Sequence, residues 1–485
     1  MKRDNRYMNF IDGEWVESGS GDYYDVYNPA ASDELVGKFP LSTEKDVDRA
    51  VKSADKAFEV WSNTTITERS KLMYTFIELC EENVDYLAES LSLEQGKPLK
   101  EALGETKRGI EEVYYVTGEA ARLEGLTLPS TRPNVKNSVL RVPIGPVAAI
   151  TPWNFPVITP LRKIVPALIA GCTVVFKPAS STPLTATLIV DLLDKAGFPA
   201  GVVNLIVGKG SKVGNALVSN PKIKGISFTG STKVGEHINV AAARNFTRVQ
   251  LEMGGKNPAV VAEYSDLENA ASEIVSAAFS NAGQRCTAIS RVVVLEKHRA
   301  ELEDLIIGKV KDFKVGKGMD EGTDIGPIID QAALESIAGY VDSAREAGAN
   351  VRIGGNILSG GIYDKGAYYE PTVITDVTPD MKVAKEEIFG PVLVIISVKG
   401  FDEAIAVSNN TQYGLAAAVF SDRLDFINEF INREQTGMIN VNHGTASEMH
   451  MPFGGTKNSG YGPFSIGTTN KYFFTEPRVV YTKYK

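Results

Sequence analysis

Cys286 sits in the string Gly283-Gln284-Arg285-Cys286-Thr287-Ala288, a polar, glycine-containing loop rather than an apolar run. A free thiol titrates near about 8.5, so nearby positive charge and backbone N–H groups are what would make a thiolate available at neutral pH. Arg285 is its neighbour in sequence, which does not by itself aim the guanidinium at the sulfur. The plain alternative is a small buried hydrophobe, the usual fate of a free cysteine. Glu252, in Gln250-Leu251-Glu252-Met253-Gly254-Gly255-Lys256-Asn257-Pro258, is followed almost at once by two glycines. That setting suits a carboxylate aimed into a cleft as a general base better than a solvated helix face. Asn154, in Thr151-Pro152-Trp153-Asn154-Phe155-Pro156, is held between prolines. Its amide can donate to a developing oxyanion, or it can simply bond its own turn.

A second group of residues suits a phosphate or ribose. Lys177 ends the run Val174-Val175-Phe176 and is followed by Pro178-Ala179-Ser180-Ser181-Thr182-Pro183. Exposed lysines at strand ends are common, so the hydroxyls beside it carry much of that reading. The turn Gly208-Lys209-Gly210-Ser211-Lys212-Val213-Gly214 is a loose relative of the dinucleotide fingerprint. In Phe228-Thr229-Gly230-Ser231-Thr232-Lys233-Val234-Gly235 the chain leaves a strand and enters a helix. The free N–H groups and dipole of a helix start favour a pyrophosphate there. Either turn could instead be close backbone packing.

These residues need a scaffold, and residues 145–230 supply one. Val147–Ile150 reads as a buried strand. Leu161, Ile164, Val165, Leu168 and Ile169 then fall on one helix face, with Thr159 as a candidate cap, Pro160 in the first turn and Gly171 at the exit. Strand Thr173–Phe176, helix Pro183–Lys195, strand Val202–Val207, a short helix from Ser211 and strand Gly225–Thr229 follow. This β-α-β-α-β-α-β order predicts an α/β protein with a parallel, doubly wound sheet, whose ligands bind beyond the carboxyl ends of the strands. Residues 45–120 read as helical, Thr67–Glu82 for example, until Gly96-Lys97-Pro98 breaks the pattern. A second α/β series starts near Met253, with a helix at Leu267–Phe279 and a strand at Arg291–Leu295. Tyr472–Tyr481 reads as an extended tail that must pair with another segment or chain.

Composition bounds the rest. The chain has 485 residues, with 51 Lys+Arg against 60 Asp+Glu for a formal net charge of −9, and 43% of it is hydrophobic. That length predicts several domains with real cores. The acidic balance argues against a nucleic-acid partner. No apolar run is long enough for a membrane span, and no apolar signal core follows Met1, so the expectation is a cytoplasmic protein. Cys80, Cys172 and Cys286 are odd in number and far apart, which excludes a disulfide framework. His237, His298, His443 and His450 lack metal-ligand spacing, so no metal is expected.

Thr151–Pro156, Phe228–Gly235, Leu251–Pro258, Gly283–Ala288, Glu386-Glu387-Ile388-Phe389-Gly390-Pro391 and Pro452-Phe453-Gly454-Gly455-Thr456-Lys457-Asn458-Ser459-Gly460 stand in the order seen in the NAD(P)-dependent aldehyde dehydrogenase superfamily. The resemblance spans essentially the whole chain, starting at Asn9–Trp15. It implies a Rossmann-like cofactor domain (residues 1–120 and 141–253), an α/β catalytic domain (254–455) and a small β bridging element for oligomerisation (121–140 and 466–485). It implies Cys286 as the nucleophile, Asn154 with the Cys286 N–H as oxyanion hole, and Glu252 as the base for thioester hydrolysis. For NAD or NADP it implies Trp153, Lys177, Ser180, Gly214, Ser231, Glu387 and Phe389. The partners implied are a small aldehyde and further copies of the chain, as a homodimer or homotetramer.

Departures from the family pattern refine this. Many NAD-specific members carry Glu where this chain has Ser180; a hydroxyl does not repel a 2′-phosphate, so NADP should be accepted. Some members have a second glutamate just after the Ser-Gly-x-Gly element, proposed as a proton relay. Here Ser459-Gly460-Tyr461-Gly462 continues to Pro463-Phe464, leaving that role without an obvious holder. Arg162 occupies a position where succinate-semialdehyde dehydrogenases carry an arginine, but Ser280 replaces their second one. The Gly-Gln-Arg-Cys-Thr-Ala and Ser-Gly-Tyr-Gly-Pro strings look more like α-ketoglutarate-semialdehyde dehydrogenases. The expected substrate is therefore a short carboxylated semialdehyde, with Arg162 and Arg285 at the substrate. Against this stands a purely structural pairing of Arg162. Aromatic or aliphatic aldehydes, a CoA-acylating reaction and a catalytically silent binding protein are the rival functions.

Overall fold

The computed structural model describes residues 1–3 and 6–485. Its first large sheet has eight strands in the order Gly460–Tyr461, Arg248–Glu252, Gly225–Thr229, Pro146–Ile150, Thr173–Lys177, Val203–Leu205, Asn9–Ile11, Glu14–Val16. The inner strands run parallel, and the flanking ones are antiparallel. Pro146–Ile150 and Thr173–Lys177 are buried at every position, as parallel strands must be when helices cover both faces. Register then does the positioning. Lys177 and Phe228 both lie level with Ile150, and Thr229 is level with Glu252. Four loops therefore leave one edge of the sheet together, the edge where such sheets bind ligands.

The second sheet has seven strands, in the order Asn350–Ile353, Thr372–Thr375, Val392–Val398, Ile289–Leu295, Asn257–Val261, Ala416–Phe420, Met438–Val441. Only Asn350–Ile353 pairs antiparallel. Glu252 ends a strand of the first sheet and Asn257 begins one of the second, so the short link between them joins the two layers at the cleft. A third sheet is made from Leu126–Leu128, Val135–Pro143 and Thr475–Lys483, all antiparallel.

Helices Pro183–Lys195 and Leu267–Phe279 lie where their periodicity places them. Three expectations change. The helix after Asn154 spans Ile158–Ala170, with Thr159 and Pro160 already inside it. Its free N–H groups at Val157 and Ile158 are capped instead by the Glu105 carboxylate, at 3.0 and 3.1 Å, a tertiary substitute for a local cap. Gly171 does end it in the left-handed region, with φ 95°. Second, Ser211 lies in a π turn at Gly210–Gly214, and the α-helix there is Asn215–Val218. Third, the tail is not extended from Tyr472. Asn470–Phe474 is helical, because Phe473 and Phe474 turn inward to full burial before Thr475 starts the strand.

No helix among the described residues is long and apolar enough to cross a membrane.

Candidate active site

The Cys286 loop follows helix Leu267–Phe279 through Asn281, Ala282 and Gly283, all left-handed at φ 54°, 53° and 68°. Such backbone is unfavourable for Asn and more so for Ala. It is held from outside: the Glu101 carboxylate accepts from Asn281 N at 2.8 Å, and Gln95 Nε2 donates to Asn281 Oδ1 at 3.0 Å. Cys286 emerges half-buried on the wall of a cavity of about 560 Å³. Burial and the Glu252 and Glu387 carboxylates push its thiol up to about 12, while Arg285 and Arg162 pull it down. Cys80 and Cys172 are fully buried among apolar side chains.

Asn154, Glu252 and Cys286 line the same cavity. Asn154 is buried and its Nδ2 donates to Gln284 O at 2.9 Å, which uses one of two amide protons. The Cys286 backbone N–H donates to nothing within the described residues. Those two donors are what the site can offer a negative oxygen. Glu252 is buried at the end of its strand; one carboxylate oxygen accepts from Thr229 Oγ1 at 2.9 Å and the other, Oε1, has no partner among the described residues. An orphaned carboxylate oxygen beside a thiol is placed to take a proton from water.

Cofactor candidates divide into two groups. Trp153, Ser231, Glu387 and Phe389 line the cavity, with the Trp153 and Phe389 rings edge-to-face at 5.4 Å. Glu387 is pushed up to about 7 by burial, opposed by the Gly255 N–H and Lys256. Lys177, Ser180 and Gly214 lie beyond that cavity. Lys177 Nζ is buried and donates to Pro178 O at 2.7 Å, and burial pulls it down to about 8. Gly214 approaches its methylenes. The Ser180 hydroxyl donates to Gly208 O at 3.0 Å.

The arginines were only partly legible. Arg162 does line the cavity, but Glu112 binds its fork at both ends, with Nε–Oε2 at 2.7 Å and Nη2–Oε1 at 2.5 Å. Phe453 covers its other side, 5.3 Å from ring centre to guanidinium. Arg285 also reaches the cavity; its Nε is buried without a partner, and its nearest compensating charges are Glu101 and Cys286. Arg108 stands with them on the wall, donating only to Ser447 Oγ at 3.2 Å among the described residues. Sequence reasoning missed Arg108, and with it Lys97, Glu101, Glu105 and Glu112. Four of these five lie on helix Leu99–Gly118. Glu101, Glu105, Arg108 and Glu112 recur there at helical spacing, a charged stripe that marks one face as facing something other than an apolar core.

A model of the aldehyde dehydrogenase family matches residues 15–480. The chain belongs to the aldehyde dehydrogenase family. Alpha-ketoglutaric semialdehyde dehydrogenase of Bacillus subtilis is 40% identical over 480 residues, 99% of this chain and 98% of the relative. Among solved structures, betaine aldehyde dehydrogenase of Staphylococcus aureus in complex with NAD+ aligns at TM-score 0.96 and 34% identity, covering 98% and 95% of the two chains. An NADP-dependent enzyme of E. coli aligns at TM-score 0.96 and 35% identity, covering 99% and 98%. This aldehyde dehydrogenase thus has the α/β fold its motifs implied, and it uses a nicotinamide cofactor to oxidise aldehydes. Its own residues fit that group. Lys177 Nζ has N–H groups to spare beside Gly214, the Ser231 side chain is not spent on capping its helix, and Gly254 leaves room for the Glu387 carboxylate that a Cβ would fill.

Proposed function

We propose that this aldehyde dehydrogenase oxidises a short carboxylated semialdehyde to the dicarboxylic acid. The observation that carries the reading is the pair Arg108 and Arg285: two guanidiniums on the cavity wall, neither in an ion pair with any described residue. A partly desolvated cation without a partner is costly, and an incoming carboxylate removes that cost. Arg162, committed to Glu112, shapes the wall and its neighbour Phe453 rather than holding the carboxylate. The semialdehyde named for the Bacillus relative is of the same chemical class.

The shared cavity of Asn154, Glu252 and Cys286 supports the following residue roles. Cys286 Sγ, as thiolate, bonds to the carbonyl carbon, and the former carbonyl oxygen takes up the electron pair. Asn154 Nδ2 and the Cys286 N–H hold that oxygen. Trp153, Lys177, Ser180, Gly214, Ser231, Glu387 and Phe389 would hold NAD or NADP, with Lys177 and Glu387 at the ribose, Ser231 at a phosphate and Phe389 beside the nicotinamide, which would supply the hydride acceptor. Loss of hydride from the thiohemiacetal carbon restores the carbonyl as a thioester on Cys286. Glu252 Oε1 then takes a proton from water as its oxygen attacks, the C–S bond breaks, and the acid leaves with the thiol restored. The unpaired Oε1 favours water over CoA as the resolving nucleophile. Ser180, in place of a carboxylate, and Gly214 allow NADP as well as NAD.

We also assign the three-stranded sheet to self-association, as the bridging element of a homodimer or homotetramer. It leaves Leu126, Leu128, Leu140, Val479 and Tyr481 exposed, more apolar surface than a free edge usually carries.

The test is reduced-cofactor formation from succinate semialdehyde, α-ketoglutarate semialdehyde, hexanal and benzaldehyde, with NAD and NADP, in the parent and in Arg108→Leu and Arg285→Leu. A preference for the carboxylated aldehydes that falls about 10- to 100-fold in the variants supports the reading. Equal or better turnover of hexanal or benzaldehyde by the parent overturns the substrate class and leaves aldehyde oxidation standing.

A further inference from the structure

Lys97 is buried to 2% exposure although the mechanism has no use for its charge. It follows Gly96, whose left-handed turn (φ 90°) ends helix Val84–Gln95 and turns the chain inward. Its ammonium meets Glu105 Oε2 at 2.5 Å, Asn154 O at 3.1 Å and the face of Phe155 at 4.2 Å from the ring centre. The other oxygen of Glu105 accepts from the N–H groups of Val157 and Ile158. One ion pair thus grips the Asn154–Ile158 turn at its peptide oxygen, an aromatic ring and the start of the next helix. Removing two charges from water is expensive, and a well-packed apolar pair would stabilise the fold as well or better. What the charges add is direction. The Asn154 peptide oxygen is held by Lys97 and by Asn281 Nδ2 at 3.3 Å, while its side chain meets Gln284 O on the wall of the cavity that also holds Cys286.

We propose that Lys97 and Glu105 are positioning residues for the Asn154 amide, setting where the oxyanion donor stands relative to Cys286. Resting on the assignment of Asn154 as that donor, the inference adds that its placement is enforced from helix Leu99–Gly118 and the turn before it, not by its own loop. An oxyanion donor displaced by a fraction of an ångström loses most of its effect.

The test uses the full-length enzyme and four variants: Asn154→Ala, Lys97→Met, the charge-balanced Lys97→Met/Glu105→Gln, and Lys97→Met/Asn154→Ala. The balanced double substitution removes both members of the ion pair together, so it keeps the test open where Lys97→Met alone does not fold. In Lys97→Met and in the charge-balanced double variant kcat should fall by about 10-fold or more, with KM for the aldehyde and the affinity for NADP within about twofold of the parent. Added to Asn154→Ala, Lys97→Met should change kcat by less than about twofold, because the group it positions is gone. Independent multiplication of the two losses overturns the proposal, as does an unchanged kcat in the balanced double variant. If Asn154→Ala itself leaves kcat unchanged, the fault lies with the oxyanion assignment instead.

Discussion

Arg162 and Glu112 face each other across two helices in a bidentate pair, with both side chains almost excluded from solvent. The pair sits at the rim of the cavity that holds Cys286, where Phe453 caps the guanidinium. It is a structural element of the pocket wall, and its removal should be felt first in stability. Breaking a buried pair by deleting one partner costs about 3–5 kcal/mol. Glu112→Gln should therefore lower the urea midpoint clearly, whereas Arg108→Leu should leave it near that of the parent. Equal midpoints for Glu112→Gln and the parent would contradict the pairing.

The Cys286 thiol, raised to about 12 by burial and the carboxylates around it, is neutral in the enzyme without cofactor. Below its pKa the thiolate fraction rises about tenfold per pH unit, and the thiolate is the reactive form. Alkylation of Cys286 by iodoacetamide, followed by peptide mass spectrometry, should accelerate about 100-fold from pH 7 to 9 without levelling. A plateau below pH 9 would show the thiol to be far more acidic than its surroundings dictate. Cys80 and Cys172, both buried, should stay unlabelled in the folded protein.

In the proposed mechanism Glu252→Gln removes the base but leaves the nucleophile and the donors. The first turnover should still release one equivalent of reduced cofactor per active site, after which the steady rate should fall by about 10²–10⁴. Rapid mixing followed at the absorbance of the reduced nicotinamide reads both phases. An unchanged steady rate would remove Glu252 from the hydrolytic step.

Gly254 lies against the Glu387 carboxylate; a Cβ there would collide with Glu387 Oε2. Gly254→Ala must push that carboxylate aside and so disturb its 3.0 Å acceptor bond from Gly255 N. With one charge-assisted bond lost, cofactor affinity should drop about 10-fold or more, while Cys286 alkylation stays close to that of the parent. Titration of NAD and NADP by fluorescence quenching measures the first. Unaltered affinity would place Glu387 outside the cofactor site.

Much of this protein was decided along the chain. Alternating short apolar runs and amphipathic helices can fold only as covered parallel sheets, so the α/β architecture was readable from periodicity. The side chains at the strand ends, Asn154, Lys177, Ser231 and Glu252, stood out because polar groups after buried runs have nowhere to point but the sheet's edge. Cys286 was marked by its glycine-bearing polar loop. Tertiary structure alone decided what each of these groups meets. Glu105 caps a helix it does not belong to, Arg162 is neutralised by Glu112 from another helix, and Lys97 reaches Asn154 across 57 positions of sequence. No local pattern encodes such pairs, because a charge's partner depends on where two helices cross, and that is set by the packing of the whole core. The same holds for the substrate charge the pocket selects. Arg162 and Arg285 stood out in the sequence and Arg108 did not; only the fold pairs Glu112 with Arg162 and leaves Arg108 and Arg285 on the cavity wall.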